Sequence, residues 1–73
     1  MPLIHVKLIE GVFTPAQERE IVAILTDAMV AAKGANMRPV TWVLLEEVRS
    51  NEWGIGGKTM TTSDALALAA GRT

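Results

Sequence analysis

Apolar and polar residues partly alternate over residues 2–9, where Ile4, Val6 and Leu8 share one face. A period of two residues is typical of a β-strand, because successive side chains point to opposite sides. Glu10-Gly11 follows and is expected to end the strand. The second face of this predicted strand is mixed, and it carries Leu3, His5, Lys7 and Ile9.

The pattern then changes to a helical period. Thr14 is a predicted N-cap, Pro15 suits the first helical position, and Gln17 completes a capping box. Gly34 is a natural C-terminal stop, so the helix is predicted over about residues 15–33. Its predicted apolar stripe consists of Ile21, Ile24, Leu25, Ala28, Met29 and Ala32.

A second strand is predicted over residues 40–48, after a loop that contains Arg38-Pro39. The segment VTWVLL barely alternates, which predicts that both faces of this strand are covered. Strand, helix and strand in this order form a βαβ unit. The two strands should therefore be parallel, with a right-handed crossover.

The remaining chain contains a glycine-rich segment and an alanine-rich segment. Trp53-Gly54-Ile55-Gly56-Gly57 predicts tight turns with positive φ angles. Residues 61–70 favour a short helix with its N-cap at Thr62 or Ser63 and its stop at Gly71. The predicted fold class is α/β (α+β): a single domain over residues 1–73, with one βαβ unit and a short C-terminal hairpin or helix.

Size and composition indicate that this domain does not stand alone. The chain has 73 residues, 49% of them hydrophobic, and it has no cysteine, so disulfides are excluded. Small domains without disulfides or metals usually rely on oligomerisation. Two strands are also too few for an independent sheet. We therefore expect copies of the chain to complete the sheet by oligomerisation.

Charge and hydropathy exclude several classes of function. The net charge is −1 and the charged residues are mixed, so nucleic-acid binding has little support. No apolar run approaches the roughly 18 residues that span a bilayer, and the N-terminus lacks a signal-peptide pattern. A cytoplasmic protein without membrane association is expected. His5 is the only histidine and has no close set of carboxylates in the sequence, so no metal site is expected.

Met1-Pro2, the capped helix after Glu10-Gly11 and the Trp53–Gly57 segment together resemble the 4-oxalocrotonate tautomerase family. The resemblance implies that the initiator methionine is removed and that the free nitrogen of Pro2 is the catalytic base. It implies a hexamer built as a trimer of dimers, with active sites at subunit interfaces. It also implies enol–keto proton transfer on small 2-oxo or 2-hydroxydienoate acids, without a cofactor.

The proposed base is chemically reasonable. A proline nitrogen inside a chain is a tertiary amide without basicity, whereas at a free N-terminus it is a secondary amine. Apolar surroundings or a nearby cation disfavour the ammonium form and lower the pKa of such an amine. A base whose pKa lies near the working pH is the effective one.

The chain departs from the family pattern at two positions. The resemblance implies substrate-binding arginines where this chain has Val12 and Trp42. Trp53 takes the place of the aromatic residue of the late loop. Trp53, Trp42 and Arg38 are the substrate-binding candidates, although both tryptophans also suit a purely structural role at an interface. At the extended-chain spacing, Arg38 would lie roughly 13 Å from Trp42. Lys7 and Arg49 are further cations without positional support.

These departures leave alternatives open. Dehalogenation or hydration of a small unsaturated acid uses a related site, with the prolinium as the acid. A third alternative is a non-catalytic subunit of a hetero-oligomer in which a second chain supplies the arginines.

Overall fold

The computed structural model describes residues 1–71. Strand β1 spans Leu3–Ile9 and helix α1 spans Pro15–Lys33. A 3-10 helix, Ala35–Val40, leads into strand β2, Trp42–Val48. Two short strands, β3 at Trp53–Ile55 and β4 at Lys58–Met60, precede helix α2 at Thr62–Ala69.

Strands β1 and β2 are parallel, as predicted, and form a two-stranded sheet with Leu3 opposite Trp42 and Ile9 opposite Val48. Strands β3 and β4 form a separate antiparallel hairpin. Gly56 and Gly57 have φ angles of 58° and 84°, so they provide the turn that the glycine-rich segment predicted. The predicted βαβ unit with a short C-terminal hairpin and helix is confirmed.

Both helices begin with a capping box. The Thr14 hydroxyl accepts a hydrogen bond from the Gln17 backbone N–H at 3.1 Å, and Gln17 Oε1 accepts one from the Thr14 N–H at 2.9 Å. Thr61 and Asp64 make the same reciprocal pair at the start of α2. The predicted N-cap of α2 at Thr62 or Ser63 was therefore wrong by one or two residues, because Asp64 completes the box with Thr61.

The strand prediction for residues 40–48 was too long. Its first residue, Val40, belongs to the 3-10 helix, in which Pro39 also lies. Helix α1 has the predicted bounds, but its stripe is rotated. Ile24 is 56% exposed, whereas Val22 is half-buried. The side of α1 that faces the sheet therefore includes residues outside the predicted set.

A hydrogen-bonded cluster joins the ends of the two parallel strands to α2. The Thr62 hydroxyl donates to the Glu10 carbonyl oxygen at 2.6 Å, and the Thr62 N–H donates to Ser50 Oγ at 2.9 Å. The Ser50 N–H donates to Glu10 Oε1 at 3.0 Å. Gly11 has a φ of 78°, and a Cβ at this position would lie 3.0 Å from Thr62 Cγ2. This cluster fixes where α2 starts relative to the sheet.

Helix α1 covers one face of the sheet and leaves most of the other face open. The open face consists of Leu3, His5, Lys7, Trp42, Leu44 and Glu46, all exposed. Among the described residues, Ile9 is the single buried hydrophobic side chain, at 7% exposure. The expectation that both faces of β2 are covered is therefore not met within one chain.

The molecule is also extended. Its Cα radius of gyration is 14.8 Å, with principal extents of 42 × 22 × 19 Å. A compact domain of this length would have a radius of gyration of about 11 Å. The chain therefore packs little of its apolar surface against itself.

Replacement of Gly11 should destabilise the fold more than replacement of Gly56. Gly11→Ala combines a positive φ angle with a close approach to Thr62, whereas a Cβ at Gly56 meets nothing within 4 Å. A left-handed backbone costs a residue with a Cβ about 1–2 kcal/mol. We expect Gly56→Ala to lower the free energy of unfolding by about this amount, and Gly11→Ala by more. Urea denaturation at one protein concentration measures both, and equal losses would contradict the steric role of Thr62.

Candidate active site

Pro2 lies at the start of β1, directly beside the first residue of β2. Its carbonyl oxygen accepts a hydrogen bond from the Trp42 N–H at 3.0 Å. Because Trp42 also pairs with Leu3 across the sheet, the two strands hold the backbone on the C-terminal side of Pro2. The structure thus brings together two of the four predicted site residues, Pro2 and Trp42.

Apolar side chains occupy the end of the open face that is next to Pro2 in the chain. Leu3, Trp42 and Leu44 are 58%, 56% and 49% exposed, and they occupy successive positions on the same face of the two strands. No arginine occupies this part of the open face, in agreement with the substitution by Trp42.

Arg38 is paired with α1. Its Nη2 atom donates to Asp27 Oδ1 at 2.7 Å, and both side chains are more than half exposed. Since Arg38 lies in the 3-10 helix, where the rise is about 2 Å per residue, the extended spacing assumed for residues 38–42 was wrong. The backbone of Arg38 is closer to Trp42 than predicted, but its guanidinium is already neutralised by a carboxylate.

Trp53 lies at the opposite end of the sheet. It opens β3, beyond the end of β2, and borders a groove of about 310 Å³. Strand β1 separates this groove from Pro2, and its six residue steps from Leu3 to Ile9 span about 20 Å. Within one chain, therefore, the structure does not bring Trp53 to Pro2.

The groove around Trp53 is apolar and is formed by the end of β1, the hairpin and α2. Val12 lies in its wall, so a hydrophobic side chain occupies the position where the resemblance implies an arginine. The sequence patterns did not single out Phe13, Met60 or Leu68 as site residues. The groove is lined by Lys7, Leu8, Ile9, Val12, Phe13, Trp53, Ile55, Met60, Ala65 and Leu68.

A charged cluster lies on the open face between the two ends. His5 Nε2 is 3.2 Å from Glu46 Oε2, and Lys7 Nζ is 3.7 Å from Glu46 Oε1. Alternation along β1 placed His5 and Lys7 on one face, but Glu46 was not identified as their partner. The register of the parallel strands, with Lys7 opposite Glu46, accounts for the contact.

The described part of the chain contains no group of three or more His, Cys, Asp or Glu side chains that could hold a metal ion. No helix within residues 1–71 has the length and hydropathy required to cross a membrane.

Comparison with known proteins agrees with the fold. Residues 2–63 match the family model described as tautomerase enzyme. The chain is 31% identical to a probable tautomerase of Dickeya dadantii over 61 residues, which cover 84% of this chain and 90% of that protein. It is 39% identical to a probable tautomerase of Staphylococcus aureus over 57 residues, 78% of this chain and 90% of that protein.

Solved structures give the same result. A structure from work on the 4-oxalocrotonate tautomerase isozymes of Methylibium petroleiphilum superposes with a TM-score of 0.72 at 36% identity. It covers 80% of this chain and 90% of that chain. DmpI from Helicobacter pylori gives a TM-score of 0.70 at 26% identity, covering 99% of this chain and 100% of that chain. The chain belongs to the tautomerase family, and this membership supports a tautomerase or isomerase activity.

The ion pair between Asp27 and Arg38 should contribute little to stability. Both side chains are more than half exposed, and pairs in such positions typically contribute 0.2–1 kcal/mol. A double-mutant cycle with Asp27→Ala and Arg38→Ala should therefore give a coupling free energy below about 1 kcal/mol. A coupling of several kcal/mol would show that the pair is a structural element of the 3-10 helix.

Proposed function

We propose that this protein is a cofactor-independent tautomerase that interconverts the enol and keto forms of a small 2-oxo or 2-hydroxydienoate acid. Its general base is the nitrogen of Pro2, freed by removal of Met1. The observation that carries the proposal is the position of Pro2 in a chain of the tautomerase family. Pro2 is fixed by the Trp42 hydrogen bond at the end of an apolar surface.

The proposed reaction is an isomerisation without loss or gain of atoms. The Pro2 amine takes the proton from the enol hydroxyl, and electron density moves into the conjugated system as the C=O bond forms. The prolinium then delivers a proton to carbon 3 or carbon 5 of the substrate, which regenerates the amine. The rigid pyrrolidine ring holds the nitrogen in one place, so little entropy is lost on approach to the substrate.

The site requires a second copy of the chain. Pro2 precedes β1, Trp53 lies beyond the far end of β2, and β1 spans about 20 Å, so one chain does not place both beside one small substrate. Two copies arranged around a two-fold axis, with their β1 strands in opposite directions, would bring Pro2 of each copy to Trp53 of the other. The exposed apolar open face supports such an assembly, and we propose a homo-oligomer, specifically a hexamer formed as a trimer of dimers.

The proposed site has few cationic side chains to bind a substrate carboxylate or to stabilise the negative charge that develops during proton transfer. Trp42 and Val12 provide no charge, and the Arg38 guanidinium is already paired with Asp27, which competes with a substrate carboxylate for it. Trp42, Trp53 and Arg38 are proposed as substrate-binding residues, with the two tryptophans providing apolar contact. The same observation favours one second candidate function: a subunit that acts together with an arginine-bearing chain.

Replacement of Pro2 tests the base. General base catalysis typically contributes 10²–10⁴-fold to a rate. We expect Pro2→Ala to lower kcat/KM for phenylenolpyruvate or 2-hydroxymuconate by at least about 100-fold. Pro15→Ala, at the exposed first position of α1, is the matched control and should retain activity. Intact mass must show that Met1 is absent from each protein. Equal rates for Pro2→Ala and the wild type would exclude Pro2 as the base.

The homo-oligomer makes a separate prediction. Leu44→Asp places a charge in the centre of the open face, and burial of an unpaired carboxylate is strongly unfavourable. Native mass spectrometry should show a multimer for the wild type and smaller species for Leu44→Asp. Ala23→Asp, on an exposed position of α1, is the control and should leave the assembly intact. A monomeric wild type, active or not, would contradict the proposed assembly.

If the purified chain is inactive but gains activity when mixed with an arginine-bearing relative, the second candidate function is correct.

A further inference from the structure

The groove around Trp53 has one charged side chain in its lining, Lys7. A second hollow, of about 360 Å³, is bordered by Trp53 and Lys7 as well, together with Val48, Glu52 and Gly54. Lys7 therefore borders both hollows, as Trp53 does. Among the described residues, it is the cation that the fold places next to this candidate substrate-binding residue.

Lys7 is less firmly held by its neighbouring carboxylate than Arg38 is. The Lys7 Nζ to Glu46 Oε1 distance of 3.7 Å exceeds the length of a hydrogen bond, whereas Arg38 and Asp27 are 2.7 Å apart. The other Glu46 oxygen lies 3.2 Å from His5. Lys7 is 58% exposed, and its ammonium group sits on a flexible four-carbon chain. An incoming carboxylate can therefore displace the weak Glu46 contact at low cost.

The rest of the groove is apolar and sets the shape of the ligand. Its volume of about 310 Å³ is at the lower end of the range for small-molecule sites. Side chains such as Phe13, Ile55 and Met60 offer contact to an aromatic or unsaturated hydrocarbon body. A second carboxylate in this region would lose its hydration without a second cation to compensate, which is strongly unfavourable.

We propose that Lys7 binds the single carboxylate of a monocarboxylic substrate, whose aromatic or unsaturated apolar body lies in the groove along Trp53. This assignment rests on the proposed function, because it defines the substrate class of that same site. The family pattern implies two arginines that bind substrate carboxylates. In this chain, Lys7 provides one such cationic contact. The second contact is replaced by apolar surface, at Val12 in this groove and at Trp42 beside Pro2.

Binding of two unreactive acids tests the proposal without relying on catalysis. Cinnamate has one carboxylate and an aromatic body, whereas muconate has two carboxylates. Isothermal titration calorimetry on the intact wild-type oligomer should show cinnamate binding at least about tenfold more tightly than muconate. Equal affinities, or tighter binding of muconate, would overturn the assignment. The absence of cinnamate binding would also overturn the assignment.

Variants at the charged positions separate a binding role for Lys7 from a structural one. Lys7→Gln should weaken cinnamate binding about tenfold, the usual loss for one charge-assisted contact, and Lys7→Arg should restore most of it. Glu46→Gln removes the competing carboxylate and should tighten binding. Lys58→Gln, on the hairpin but outside both hollows, is the control and should bind like the wild type. Unchanged cinnamate affinity in Lys7→Gln would overturn the proposal.

Kinetics distinguish failure of this proposal from failure of the proposed function. With phenylenolpyruvate, Lys7→Gln should raise KM about tenfold while kcat changes little, since the contact is made in the ground state and the transition state alike. A tautomerase whose KM does not respond to Lys7→Gln would refute the role of Lys7 and leave the proposed function intact. An inactive protein that still shows the Lys7-dependent preference for cinnamate would refute the proposed function alone.

Discussion

The structure depends on one constraint: a two-stranded parallel sheet has one helix to cover it. Helix α1 packs on one face, and the other face carries Leu3, Trp42 and Leu44 in exposed positions. With Ile9 the single buried hydrophobic side chain in residues 1–71, the chain gains little hydrophobic stabilisation from its own packing. Such a chain gains stability by association, because the same apolar surface can be buried between copies. The proposed assembly would therefore stabilise the fold as well as complete the site.

The same constraint determines the site. Pro2 and Trp42 are at one end of the sheet, while Val12 and Trp53 are at the other end, in the groove formed with α2. The cluster of Glu10, Ser50 and Thr62 holds α2 and the hairpin over that second end. Because the length of a strand separates the proposed base, Pro2, from the proposed apolar contact, Trp53, the proposed site needs a second copy of the chain. Under this account, an isolated chain would have half of each site.

Local signals predicted most of the fold from the sequence. Thr14, Pro15 and Gln17 specify the start of α1 through neighbouring residues, and Gly34 specifies its end, so these bounds were predicted correctly. The start of α2 was misplaced because Thr61, Thr62 and Ser63 are all good N-caps, and the choice depends on Asp64. The 3-10 helix was missed because Pro39 normally indicates a loop. The rotation of the α1 stripe depends on packing against the sheet, which periodicity alone does not determine.

The site was predicted less completely, for a physical reason. Pro2 and Trp53 were found through a family resemblance, but their separation follows from the length of β1. The pairing of Arg38 with Asp27 and of Lys7 with Glu46 joins residues distant in sequence, 11 residues apart in the first case. Lys7 could be identified as a candidate substrate-binding residue only from the structure, in which it borders the same groove as Trp53.

The most direct test of the account is a crystal structure of the assembled protein after removal of Met1. The distance to measure joins the Pro2 nitrogen of one copy to the Trp53 ring of a neighbouring copy. The account predicts that the two face each other across one small cavity, separated by no more than the length of a bound substrate. If no pair of copies brings Pro2 and Trp53 closer than about 20 Å, the length of β1, the shared site does not exist.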